Sequence, residues 1–135
     1  MQLIDNIQLQ QLYLEASKSE RLRTHFLLHD SHQDHVQRLI IAMVQGSYVE
    51  PHYHELSNQW ELFSVLDGVI KVTLYSTDGG VIQSFNAGPG EDISLIQFAA
   101  GDIHGIECLS KTALLLEVKE GPFNPEFAKV FPHWS

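Results

Sequence analysis

The sequence contains a single cysteine, Cys108, among 135 residues. One thiol excludes a disulfide within the chain and the zinc modules that are built from several cysteines. Long apolar runs are also missing, because the longest, residues 39–44, is far shorter than the ~20 residues that a membrane-spanning helix needs. The N-terminus lacks the basic segment and apolar stretch of a secretory signal, so we expect a cytoplasmic protein without a membrane partner.

Basic residues are scarce as well, since eight Lys and Arg stand against seventeen Asp and Glu and the formal net charge is -9. Because an acidic surface repels phosphate backbones, we expect no nucleic-acid partner. The motifs of serine hydrolases, P-loop NTPases and dinucleotide-binding folds are absent. Apolar residues make up 44% of the chain, which argues against disorder and for a globular domain.

An amphipathic helix is predicted near the N-terminus, over residues 7–19. Leu12 and Ala16 recur there at helical spacing, and neither glycine nor proline interrupts the segment. Asp5 or Asn6 can cap its first turn, because short polar side chains accept hydrogen bonds from the free backbone N–H groups.

Turn residues divide most of the remaining chain into short β segments, after a polar loop over residues 29–35. The predicted strands are 36–44, 48–54, 60–66, 69–75, 81–86, 93–98, 103–108 and 112–119. The Asp67-Gly68 pair between two of them is predicted to form a hairpin turn. This pattern, without βαβ alternation, predicts a single all-β sandwich or barrel domain. Its parts are a helical and loop extension over 1–35, a barrel over 36–119 and an irregular tail over 120–135.

His52 and His54 are the most informative residues of the chain. Side chains alternate faces along a strand, so two imidazoles two residues apart point to the same wall. Glu61, on the next predicted strand, can add a carboxylate, and His104 begins a strand that can return to the same pocket. Three neutral imidazoles and one carboxylate suit a divalent transition metal, so we predict one Fe, Mn, Ni, Zn or Cu ion per chain.

The order of glycine, histidine and glutamate along the chain is similar to the two motifs of the cupin family. The first is Gly46, His52-x-His54, Glu61 and Gly68, and the second is Ala99-x-Gly101-x-x-His104. More narrowly, the chain resembles the WbuC-type cupin metalloproteins in VQRL at 36–39, PHYH at 51–54, WELFSVLDG at 60–68 and LEVKEGP at 116–122.

The resemblance implies a double-stranded β-helix, or jelly roll, with an N-terminal helix. It implies that His52, His54, Glu61 and His104 bind one metal, that the protein is a homodimer and that it is linked to bacterial polysaccharide gene clusters. It does not define a reaction. The gap between His54 and Glu61 is longer than in most cupins, so Glu55 remains an alternative ligand. The second motif has Ala99 where proline is usual.

Four further residues are candidates for the pocket. Phe63 shares a strand face with Glu61, and Cys108 shares one with His104, where it is either a thiol near the metal or a small core residue. Lys71 and Lys119 are expected to point outward.

Tyr48 lies an even number of residues before His52, so the two side chains share a strand face unless Pro51 introduces a bulge. The Tyr48 side chain then either hydrogen-bonds a ligand or only packs against its neighbours. Arg38 either binds a carboxylate or phosphate of a substrate or forms an ion pair with Glu117 or Glu120.

Two functions are compatible with this pattern. One is a metal-dependent enzyme, of isomerase, epimerase or oxygenase type, acting on a small sugar-derived or organic-acid substrate of polysaccharide biosynthesis. The other is a metal-dependent module that binds or senses a small ligand without turnover. The sequence offers no convincing acid–base residue, which leaves both open. A metal that only stabilises the fold is a third possibility.

Overall fold

The computed structural model describes residues Met1–Ser135 as one α-helix, nine strands and a short 3-10 helix. The elements are α1 (Asn6–Lys18), β1 (Arg23–Leu27), β2 (Val36–Val44), β3 (Tyr48–His52), β4 (Glu61–Asp67), β5 (Ile70–Tyr75), β6 (Val81–Ala87), β7 (Leu95–Phe98), β8 (Ile103–Cys108), β9 (Thr112–Glu120) and the 3-10 helix Pro125–Phe127. The prediction of an all-β fold with an N-terminal helix is confirmed. The helix is capped by Asp5, whose side chain accepts a hydrogen bond from the Gln8 N–H. No helix of the structure is long and apolar enough to cross a membrane.

The strands form two antiparallel sheets that face each other. Their orders are β1-β2-β9-β4-β7 and β3-β8-β5-β6. The main core lies between them, and Met43, Phe63, Ile70, Val72 and Leu115 are each at most 4% exposed there. Because side chains alternate between the two faces along a strand, every second residue of these strands points into this core.

The first sheet also has a buried outer face, since α1 packs on β1 and β2. Leu12 of the helix joins Ile40, Ala42 and Leu114 in a second apolar cluster, and Phe26 of β1 packs against it. Strand β2 is therefore buried on both faces, which accounts for the unbroken apolar run over residues 39–44.

Strand β1 is a feature that the sequence pattern does not predict, because residues 1–35 were expected to hold only helix and loop. It pairs with β2 over five residues, from Arg23 opposite Met43 to Leu27 opposite Leu39. Phe26 faces the helix, whereas Arg23 and His25 face the interior of the barrel. This strand brings two basic side chains to the site described below.

The turn at Asp67-Gly68 differs from the prediction of a hairpin. Strands β4 and β5 belong to different sheets, so the turn carries the chain across the sandwich. Gly68 has a φ of 77°, and a Cβ at this position would collide with the carbonyl oxygen of Thr112. Gly46 and Gly101 have positive φ at two other crossings between the sheets. The glycines of both sequence motifs, Gly46, Gly68 and Gly101, are thus required by the backbone conformation at these crossings.

Candidate metal centre

The four predicted metal ligands lie together between the two sheets. His52 ends β3 and stands opposite His104 of β8, with ring centroids 4.5 Å apart. Glu61 begins β4 in the other sheet. The predicted strand 48–54 ends two residues early, so His54 lies in the loop after β3, with its ring centroid 5.3 Å from that of His52.

A bulge in β3 decides which of its side chains face the centre. The register of β3 against β8 shifts between Val49 and His52, a stretch that contains Pro51, which has no N–H to donate to the ladder. Val49 and His52 both face inward as a result. Tyr48 faces outward and is 54% exposed.

Glu61 is the carboxylate of the cluster. Its Oε1 lies 2.8 Å from Nε2 of His54 and 3.3 Å from Nε2 of His104. Ligand atoms of His52, His54 and Glu61 all lie within 4.8 Å of one another, a spacing at which these three side chains could hold one metal ion. His104 is outside this group of three, although its Nε2 is close to Glu61. Glu55, the alternative carboxylate, is exposed in the loop after His54.

The three histidines have their Nδ1 atoms engaged in the same way, each with a backbone carbonyl oxygen. The partners are Glu50 for His52 at 2.9 Å, Ala128 for His54 at 2.8 Å and Asp102 for His104 at 2.9 Å. Because a carbonyl oxygen can only accept, each Nδ1 carries the proton. A ring with its proton on Nδ1 can offer the Nε2 lone pair to a metal ion, so this arrangement suits metal ligands.

The contact between His54 and Glu61 fits a cation. Nε2 of His54 and Oε1 of Glu61 are both buried and neither has a hydrogen-bond partner, although they are 2.8 Å apart. Two lone pairs at this distance repel each other unless a proton or a metal ion lies between or beside them. The donor set of this structure therefore fits a bound divalent metal.

The charge states of the cluster agree with this interpretation. Burial, followed by the influence of His104, lowers the pKa of His52 to about 4, so this imidazole is neutral at neutral pH. Burial alone would raise the pKa of the Glu61 carboxyl, but in the metal-free chain hydrogen bonds from protonated Nε2 atoms of His104 and His54 hold that pKa well below its usual range, and a metal ion at the same place would act in the same direction. Glu61 is thus available as an anionic ligand.

The sequence profile of a family described as "Domain of unknown function (DUF6016)" matches residues 4–87, which is more than half of the chain. The chain belongs to the DUF6016 family. The matched stretch contains His52, His54 and Glu61, whereas His104 lies beyond it. No curated protein sequence matches this DUF6016 chain.

Solved structures similar to the DUF6016 chain show its fold. A cupin superfamily protein (DSY2733) from Desulfitobacterium hafniense DCB-2 has 18% identity and a TM-score of 0.56, with 73% of this chain and 76% of that one covered. An oxalate oxidase in complex with the substrate analogue glycolate has 14% identity and a TM-score of 0.63, with 85% and 57% covered. The capsular polysaccharide assembling protein CapF from Staphylococcus aureus has 18% identity and a TM-score of 0.62, with 80% and 34% covered. What they share with this chain is the cupin jelly roll, which confirms the predicted fold. None of them confirms the narrower WbuC-type resemblance.

A cavity of about 350 Å³ opens from the candidate centre of the DUF6016 chain. Of the four pocket candidates, Phe63 lines it, as its alternation with Glu61 predicts. Arg38 does not, because it lies on the outer face of β2, where it is exposed. Tyr48 is turned away by the bulge in β3. Cys108 is buried in the main core, and burial raises the pKa of its thiol to about 11, so it is an inert core residue.

Two side chains of β9 reach the cavity although the sequence did not assign them to it. Glu117 and Lys119 pair with Phe63 and Glu61 across the sheet, and directly opposite residues share a face. The prediction that Lys119 points outward is therefore wrong. Lys119 Nζ lies 3.5 Å from Oε2 of Glu117. Burial, followed by the charge of Glu61, raises the pKa of Glu117 to about 8.

The C-terminal tail forms part of the site. Tyr53 and Val130 exchange backbone hydrogen bonds of 3.0 and 2.8 Å, and this pairing carries the carbonyl of Ala128 to His54. The Gln59 side-chain amide donates to the carbonyl of Phe127 at 2.6 Å. The tail thus fixes the orientation of one candidate ligand and closes one side of the cavity.

Proposed function

We propose that this protein is a metal-dependent cupin enzyme whose single divalent transition metal is held by His52, His54, Glu61 and His104. The observation that carries the proposal is the shared tautomer of the three imidazoles. Each Nδ1 donates to a backbone carbonyl, and the Nε2 atoms of His54 and His104 lie 2.8 and 3.3 Å from one carboxylate oxygen. A bound metal would act as a Lewis acid on a carbonyl or hydroxyl group of a small molecule.

Glu117 favours an enzyme over a module that only binds. Glu61, as a ligand, is a poor proton acceptor, and the sequence alone offers no other group for that role. Glu117 is buried in the same cavity, and Lys119 is its one cationic neighbour within 4.0 Å. Its Oε2 atom makes no hydrogen bond of normal geometry and has the Lys119 ammonium 3.5 Å away, so Glu117 can take a proton from a bound molecule or deliver one to it.

The finer features of the function rest on resemblance. We propose a small sugar-derived or organic-acid substrate and an isomerase, epimerase or oxygenase type of reaction. The likeness to CapF, a capsular polysaccharide assembling protein, supports the link to polysaccharide biosynthesis implied by the WbuC-type resemblance. The homodimer implied by the cupin motifs belongs to the same proposal, and light scattering of the purified protein would test it.

Metal analysis of protein purified without a histidine tag tests the ligand set. We expect about one equivalent of metal in the wild type and almost none in His52→Ala/His54→Ala, because two of four ligands are lost. A matched control is His35→Ala/His133→Ala, which removes two exposed histidines. His104→Ala reports on the fourth ligand. Equal metal content in the wild type and in the His52/His54 variant would refute the site.

Turnover separates the enzyme from a binding module. Metal-loaded protein would be incubated with hydroxy acids, oxo acids and sugar phosphates, and the mixtures followed by NMR. A product that forms with wild type and not with Glu117→Gln, at equal metal content, supports the enzyme. A ligand that binds the metal-loaded protein and stays unchanged on long incubation supports the binding module instead.

A further inference from the structure

The cavity above the candidate centre concentrates the positive charge of the chain. Arg21, Arg23, Lys119 and Lys129 line it, which is half of the eight Lys and Arg residues. Only two of the seventeen carboxylates, Glu61 and Glu117, do so. The protein has a net charge of -9, so the excess of cations in this cavity is opposite in sign to the charge of the whole molecule. The cavity therefore has an electrostatic preference that the whole molecule does not have.

Three of these cations have no carboxylate within 4.0 Å, although Glu20 and Glu50 line the adjoining surface pocket. Lys119 alone is within 4.0 Å of one, at Glu117. Arg23 is 9% exposed, and its Nη1 donates only to the backbone carbonyls of Arg21 and Tyr48, at 3.3 and 3.4 Å. Lys129 lies over the ring of Phe131, with Nζ 5.7 Å from the centroid. A guanidinium has five N–H donors in a planar fork, so most of the capacity of Arg23 is unused.

The cations also act on one another. Burial, and next the charge of Arg21, lowers the pKa of Arg23. Partial desolvation, and next the charges of Arg23 and Arg21, lowers the pKa of the exposed Lys129, although Glu50 opposes this. Desolvation of its ring in the cavity, and next the charges of Arg21 and Arg23, lowers the pKa of His25 to about 4, although the residue as a whole is exposed. Like charges gathered in a concave site cost free energy that a bound anion would offset.

We propose that Arg21, Arg23 and Lys129, here called the basic mouth, bind an anionic group of the small molecule whose other end contacts the metal centre. The shared chemistry is that of a carboxylate or a phosphate, which accepts several charged hydrogen bonds at once. The cavity that contains the basic mouth and the candidate metal ligands is also lined by apolar side chains, among them Val49 and Ile106. This inference rests on the proposed function, because the metal centre is the floor of the same cavity. It excludes uncharged sugars as the preferred ligand.

Calorimetric titration of the metal-loaded protein tests the basic mouth. The probes are inorganic phosphate, succinate and, as an uncharged analogue, succinamide. We expect phosphate or succinate to bind and succinamide not to bind. The anion that binds more tightly shows whether the site prefers a phosphate or a carboxylate group. Arg21→Gln/Lys129→Gln changes two exposed residues and should weaken anion binding by about tenfold or more. The control Lys71→Gln/Lys111→Gln removes the same charge from exposed positions that do not line the cavity and should bind as the wild type does.

Metal content measured on the same samples keeps the two proposals apart. Normal metal content with anion binding unchanged in Arg21→Gln/Lys129→Gln would overturn the basic mouth and leave the metal centre standing. Absence of binding by both anions in metal-loaded wild type would also overturn it. Protein that retains no metal but loses anion affinity in the same variant would support the basic mouth and refute the metal proposal.

Discussion

At the scale of single residues, the candidate centre is organised by the backbone. His52 and His104 each engage the carbonyl two residues earlier, and His54 engages a carbonyl of the distant tail. Backbone acceptors exist in every sequence, so the His-x-His spacing predicts the ligands but not the partners that orient them. The fixed tautomers are a property that only the folded chain has.

The buried Glu117 carboxyl should make the stability of the protein depend on pH. Burial and the charge of Glu61 raise its pKa from 4.5 to about 8 in the folded protein. The folded state then keeps a proton that the unfolded chain loses, so the free energy of unfolding of metal-free protein falls as the pH rises from about 4.5 to about 8. The total is on the order of a few kcal/mol. Glu117→Gln does not ionise, so it should remove this part of the pH dependence in urea unfolding with a chelator present.

The control for this prediction is Glu55→Gln, which changes an exposed carboxylate. It should reproduce the pH dependence of the wild type. A Glu117→Gln protein whose stability still falls with pH as steeply as that of the wild type would show that Glu117 is ionised in the folded state.

At the scale of elements, the sequence predicts strands whose inward residues are apolar and misses those whose inward residues are charged. Strand β4 is predicted nearly to its ends, because Phe63 and Val65 follow Glu61 at alternate positions and the Asp67-Gly68 turn marks where the strand stops. Strand β1 is missed because its apolar side chains serve the helix, while Arg23 and His25 face the cavity. The alternation of Leu22, Thr24, Phe26 and Leu28 was the available signal. The inward residues of β1 are basic because they line the cavity. The apolar alternation that predicts the other strands is therefore absent from the inward face of this strand of the site.

The bulge in β3 and the pairing of β9 are further reasons that the site was predicted only in part. Alternation along an ideal strand assigns Tyr48 to the inside, but the shift at Pro51 reverses its face. Lys119 faces the cavity because its neighbour across the sheet is Glu61, a partnership set by topology. Pairing between distant segments cannot be read from one segment alone.

The tail carries a prediction about metal affinity at this scale. A chain that ends at Asn124 loses the Ala128 carbonyl that orients His54 and the pairing of Val130 with Tyr53. Loss of an outer partner of a ligating histidine lowers metal affinity by about 10–100-fold. Competition with a chromogenic chelator would measure this, and circular dichroism would confirm that the strands persist. A chain that ends at Pro132 keeps both contacts and should bind as the wild type does; equal affinity of both truncated chains would contradict the role of the tail.

At the scale of the whole molecule, the candidate centre joins the two sheets. His52 and His104 belong to β3 and β8 of one sheet, and Glu61 belongs to β4 of the other. A metal bound to all of them would be a cross-link between the layers of the sandwich, beside a core that is otherwise held by apolar contacts. His52, His54, Glu61 and His104 line the same cavity as the basic mouth, so a metal ion held by them would couple stability to ligand binding.

Thermal unfolding tests this cross-link. A ligand that binds only the folded state at 100 times its dissociation constant raises the free energy of unfolding by about 2.7 kcal/mol. For a domain of this size, that is an increase in Tm of about 10 °C. We expect an increase of this order when Zn²⁺ or Mn²⁺ is added to chelator-treated wild type and to His35→Ala/His133→Ala, as measured by scanning calorimetry. His52→Ala/His54→Ala should show almost none, because the remaining two ligands cannot hold the ion between the sheets. An equal increase in that variant would mean that the ion stabilises the protein from another position.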